Sequence, residues 1–77
     1  MSKSHIDKML SARVRADRAA IQFVMAHVRD GTLTADHLTT AGGVMRVPVA
    51  AVVAQTVAYY TRSARVRGAL RRIGITH

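Results

Sequence analysis

Apolar residues recur at spacings of three and four through the first third of the chain: Ile6, Met9, Leu10, Val14, Ile21, Val24, Met25 and Val28. That rhythm puts one apolar face on a helix and predicts such a helix from about Ser4 to Arg29. Asp17 falls on the same face, so it either pairs with Arg13 one turn back or marks a bend. Asp30-Gly31 ends the segment, because glycine takes the left-handed conformation that closes a helix. A second helix is expected to start at Thr34, a good N-cap, with Asp36 at the positive end of its dipole. Leu33 and Leu38 have the spacing of a hydrophobic staple. Gly42-Gly43 is expected to stop this helix after about two turns.

Pro48 opens a third helix, predicted to run to about Tyr60. Val49, Val52, Val53, Thr56, Val57 and Tyr60 form one face; Ala50, Ala51, Ala54 and Ala58 form the opposite one. A helix apolar on both sides is normally buried on both sides, so the alanine face is a candidate for self-association or for docking another protein. The last segment, Ser63 to Ile73, is amphipathic. Val66, Ala69, Leu70 and Ile73 share a face, flanked by Arg65 and Arg72 on one side and Arg67 and Arg71 on the other. Gly68 weakens it by about 1 kcal/mol relative to alanine. Gly74 closes it, and Ile75, Thr76 and His77 are expected to fray. Nothing reads as a strand pair. The pattern therefore predicts an all-α domain of three to four helices spanning residues 1–77.

A chain of 77 residues buries only about 60% of the surface its unfolded form exposes. The core of so small a domain supplies roughly 3–5 kcal/mol. With no cysteine, neither disulfides nor thiolate zinc sites add to it. A partner becomes the expected support, and a homodimer is the simplest one.

Charge narrows the partner further. Twelve Lys and Arg face four acids, all Asp, for a net charge of +8. Residues 1–36 hold every acid; residues 37–77 hold six Arg and none. Such an imbalance attracts polyanions. Ten Arg against two Lys, with thirteen Ala and ten Val, is the usage of a GC-rich genome and resembles actinobacterial proteins or those of their phages and plasmids. The N-terminus lacks the apolar stretch of a signal peptide. The longest apolar run, Val47 to Tyr60, is too short for a span of about 20 residues. A cytoplasmic protein without a membrane partner is expected, since the basic helix carries neither Trp nor Phe to anchor it in lipid.

Residues 33–53, LTADHLTTAGGVMRVPVAAVV, carry one spacing with a mechanism. Leu33-Thr34 opens the first helix, Leu38 is its inward anchor, Gly43 is placed in the turn before Val44, and Val49 and Val53 point inward from the second helix. This resembles the helix-turn-helix of bacterial and phage repressors. The resemblance implies an all-α fold and duplex DNA as partner, with the second helix in the major groove. It also implies that Thr34 offers an amide end to a phosphate, while Arg46 and Gln55 read base edges. Two positions depart from the pattern. Gly42 stands where an apolar residue is usual, and Val47, Ala50, Ala51 and Ala54 give the reading helix few donors. Outside the motif, Arg62, Arg65, Arg67, Arg71 and Arg72 are candidate phosphate contacts.

Catalysis has little support. His27 and Asp30 could share a helix face, but a metal site needs a third ligand. Ser11 and Ser63 have no partnered base. Neither an enzyme nor a cofactor is expected. Tyr59 and Tyr60 read as core and rim, too few aromatics for a single-strand stacking platform. The leading expectation is a small DNA-binding regulator of transcription or recombination. The alternative is a protein-interaction module that self-assembles or docks on a host protein through helix 48–60.

Overall fold

In the computed structural model residues 3–75 are described, with side chains from residue 6 onward. The expected fraying of Thr76 and His77 lies outside the described residues. Four helices follow one another: α1 (Lys3–Asp30), α2 (Ala35–Met45), α3 (Val49–Tyr59) and α4 (Ala64–Arg72). The domain is all-α, as the periodicity predicts, with no strand among the described residues. No single helix there is long and apolar enough to cross a membrane.

The core gathers one stripe from each helix. Val24 and Val28 of α1, Leu38, Ala41 and Met45 of α2, Val52 and Val53 of α3, and Val66 and Leu70 of α4 all lie below a tenth exposed. Leu33, just before α2, joins them as the staple predicts. Thr56, also buried, satisfies its hydroxyl by donating to Val52 O at 2.8 Å. A buried hydroxyl without such a partner would cost a kcal/mol or more, on the order of 1–3.

Three helices end alike. After α1, Gly31 takes φ 72°, with Thr32 N–H donating to His27 O and Gly31 N–H to Val28 O. After α4, Gly74 takes φ 87°, and Ile75 N–H donates to Leu70 O at 2.9 Å. Ile75 is half-buried against the core, so this residue is held by the cap and does not fray as expected. After α2 the same pair of bonds runs from Val47 N–H to Gly42 O and from Arg46 N–H to Gly43 O. There, however, the left-handed residue is Arg46, at φ 56° and ψ 42°.

This corrects the reading of the two glycines. Gly42-Gly43 does not stop α2, which continues to Met45. Gly43 is helical, and the turn is made by Arg46, Val47 and Pro48. Gly42 serves a close approach: a Cβ there would lie 2.8 Å from Val47 O. Its buried position explains why a bulkier apolar residue is absent. Across the turn α2 and α3 are bent by 95°.

α1 is one unbroken helix. At about 1.5 Å per residue its 28 residues span roughly 42 Å, while the molecule measures 49 × 23 × 20 Å. Its radius of gyration is 13.9 Å, against about 11.5 Å for a compact chain of this length. The excess is the N-terminal half of α1, which runs beyond the other three helices; the first buried residue of the helix is Ala20. Asp17 does not bend it. Arg13 Nε lies 3.2 Å from Asp17 Oδ1 and donates to Oδ2 at 3.3 Å, while Arg13 Nη2 donates to Met45 O at the negative end of α2.

Candidate nucleic-acid interface

α4 is short and starts on a side-chain cap, Ser63 Oγ accepting from Val66 N–H at 3.3 Å. Val66, Ala69 and Leu70 are buried, so the helix cannot roll and its arginines are fixed to the outside. Arg65 and Arg72 lie along one flank and Arg67 and Arg71 along the other, all exposed. Gly68 sits between the rows, with open space where a Cβ would stand. Arg62 is exposed in the turn before α4.

The five arginines do not have equal freedom. Arg67 Nη1 donates to Thr61 O at 2.8 Å, bracing the α3–α4 turn. Arg72 Nη2 donates to Gly31 O at 3.3 Å, tying α4 to the C-terminal, electronegative end of α1. Arg62, Arg65 and Arg71 make no hydrogen bond or ion pair among the described residues. No acidic side chain follows Asp36 in the chain, so α4 and the turn before it carry none of their own.

The residues taken from the motif are scattered. Thr34 is the N-cap of α2, in extended conformation. It forms a capping box with His37, whose well-formed half is the bond from Thr34 N–H to His37 Nδ1 at 2.9 Å. Arg46 is exposed beside a shallow hollow bordered by Thr39, Gly43 and Pro48. Gln55 does not join it. Gln55 faces instead a cleft of about 430 Å³ between α1 and α3, with Asp17, Arg18 and Tyr59. The outward line of α3 is Ala50, Ala54 and Ala58; Ala51 is half-buried. Tyr59 is no core residue: it is 75% exposed, and Tyr60 is 38% exposed. Both follow the last buried turn of α3, where the helix has run past the core.

One cluster escaped the sequence reading. His27 and His37 stack with ring centroids 3.6 Å apart and planes at 14°. Phe23 meets both rings edge-on, at 4.9 and 5.4 Å. His27 Nδ1 also bonds Thr32 Oγ1 at 2.7 Å. The available signals were Phe23 and His27 four apart on α1, and a histidine in the third helical position after Thr34, where glutamate or glutamine closes a capping box. The stack locks the α1–α2 corner. Among the described residues no three His or Asp side chains come together as a metal-binding group.

No family model, curated protein or solved structure matches this chain.

Proposed function

We propose that this protein is a small regulator that binds duplex DNA, holding phosphates with the arginines of α4 and of the turn before it. The observation that carries the reading is the exposed, acid-free surface of α4, where Arg62, Arg65 and Arg71 have no partner within the described chain. The buried stripe of Val66, Ala69 and Leu70 sets which side of α4 faces outward. The glycine between the arginine rows also removes any side chain that would keep a phosphate backbone away.

The α2–α3 corner supports the same reading. Its 95° bend falls in the range of about 90–120° typical of helix-turn-helix pairs. Arg46 is held in a left-handed conformation that costs a residue with a Cβ about 1–2 kcal/mol. Strain of this kind persists where the side chain is needed. The outward line of α3 offers methyl groups only, so base discrimination is weak and rests on Arg46. This is the profile of a regulator that reads backbone and groove shape, of the sort small phage or plasmid proteins use.

The test is a mobility shift with random duplex DNA at two salt concentrations. Binding should weaken steeply with salt, by a slope near 0.9 for each phosphate contact. Reversing Arg65 and Arg71 to Glu should abolish the shift with helix content unchanged, since neither side chain braces the fold. Arg46→Gly should relieve strain, leaving stability equal or raised by up to about 1 kcal/mol, while reducing discrimination between sequences. No retardation even at low salt would overturn the reading.

A second reading has its own observation: Ala50, Ala54 and Ala58 form an exposed line of small apolar residues on α3. Such a line suits close docking of another helix from a host protein. Ala54→Glu would then destroy function while the arginine reversal would not.

A further inference from the structure

The cleft between α1 and α3 measures about 430 Å³, within the roughly 300–1,000 Å³ of small-ligand sites. Two pairs of side chains line it, each pair four residues apart and so on one face of its helix. Arg18 and Gln22 belong to α1; Gln55 and Tyr59 belong to α3, with Tyr60 following at the helix end. Val14 and Ile21 supply the apolar part of the lining. None of these polar side chains makes a hydrogen bond or ion pair among the described residues. The one acid in the lining, Asp17, is held by Arg13, which leaves the Arg18 guanidinium as the uncompensated charge of the cleft. Arg15, three residues earlier and on the same side of α1, is exposed and equally without a partner there.

We propose that this cleft takes one unpaired nucleobase, with the phosphates of its strand running past Arg18 and Arg15. Three features together select that chemistry. The exposed rings of Tyr59 and Tyr60 give a face on which any base stacks. The primary amides of Gln22 and Gln55 each offer donors and an acceptor, matching the mixed polar edge of a base. The guanidinium beside them meets a phosphate, on a chain whose net charge of +8 draws polyanions. A purely apolar ligand would make no use of the amides, and an organic cation would be repelled by Arg18. A base inside a duplex is out of reach, so the ligand is a single strand, a base turned out of the helix or a free nucleotide. Two rings are too few for a run of stacked bases; they suffice for one. The site lies apart from the α4 arginines and does not depend on their role.

The chain has two Tyr and no Trp, and both Tyr border this cleft, so tyrosine emission reports on it directly. The test titrates the full chain with single-stranded oligothymidylate, thymidine monophosphate, an abasic strand of equal length and random duplex DNA. Free tyrosine under the same conditions corrects for absorption. Oligothymidylate should quench the emission to saturation, and the monophosphate should do so with lower affinity, which separates a strand from a free nucleotide as the ligand. The abasic strand and the duplex should leave the emission unchanged. Tyr59→Leu, at an exposed position, should weaken binding of end-labelled oligothymidylate at least about fivefold, the loss of one stacked base. Arg18→Gln should flatten its salt dependence by about 0.7, one single-strand phosphate contact. Circular dichroism checks that both variants keep their helix content. Absence of quenching by both thymidine ligands, equal quenching by the abasic strand, or full affinity in Tyr59→Leu would each overturn the proposal. Quenching by single strands without retardation of duplex DNA would overturn the α4 reading and leave this one standing; retardation without quenching would do the reverse.

Discussion

Between Ala20 and Val28 the apolar stripe of α1 lies under α2, α3 and α4; between Ile6 and Val14 the stripe continues with helical spacing but stays exposed, only Val14 bordering the cleft beside α3. The two halves are indistinguishable in periodicity. What separates them is the amount of chain left to cover them. α2, α3 and α4 have 11, 11 and 9 residues; at about 1.5 Å per residue none exceeds roughly 17 Å. They cannot shelter a helix of about 42 Å along its length. An amphipathic pattern therefore says that a face will be covered, and the lengths of the neighbouring elements say whether this chain can cover it.

The sharpest way to break the comparison is one substitution in each half. Val24 is fully buried, and Val24→Asp would place an unpaired carboxylate in the core. A loss above about 4 kcal/mol is expected, enough to unfold a domain of this size. Leu10→Asp, on the same stripe, should change the stability of the dilute monomer by no more than about 0.5 kcal/mol. Chemical denaturation at low protein concentration checks both. Equal losses would mean that the N-terminal half is sheltered within the single chain.

The next effect lies where the cover ends. α2 stops at Met45, whose carbonyl receives Arg13, and it reaches that point only because the chain continues helically through Gly42 and Gly43. Gly42→Ala should cost about 1–3 kcal/mol, because the new Cβ meets Val47 O at 2.8 Å and either the turn or the helix must shift. Gly43→Ala, one residue on, meets nothing within 4 Å and should stabilise by about 0.5–1 kcal/mol. Thermal melts of the two variants moving in opposite directions would sharpen the comparison. Equal shifts would remove the steric account of the α2 terminus.

These glycines show what was legible in the sequence and what was not. Helix number, order and approximate limits followed from periodicity and caps, because those signals are local. Propensity alone made Gly42-Gly43 a stop; burial against the turn overrode it, and the left-handed position moved to Arg46. The arginines of α4 were legible as a basic face, but the bonds of Arg67 to Thr61 O and of Arg72 to Gly31 O join segments whose meeting no local pattern announces. Tyr59 was misplaced as core for the same kind of reason. It sits with Gln55 on α3 where the helix passes α1, and only the packing angle decides that the two border a cleft.

The smallest effect concerns the fastening of α2 onto the covered half of α1. His37 accepts the Thr34 N–H and stacks on His27, which rests against Phe23. His37→Ala removes the cap acceptor and the stack together, and should cost about 1 kcal/mol, the usual worth of a capping group. His37→Gln should recover part of that loss, since glutamine at this position closes a capping box but cannot replace the stacked ring. Thr34→Ala should cost less than His37→Ala, because the better-formed half of the box uses the Thr34 backbone, which alanine retains. Denaturation curves of the three variants order these effects. If Thr34→Ala proved the most damaging, the hydroxyl would be the capping atom and the histidine stack a bystander to the α1–α2 corner.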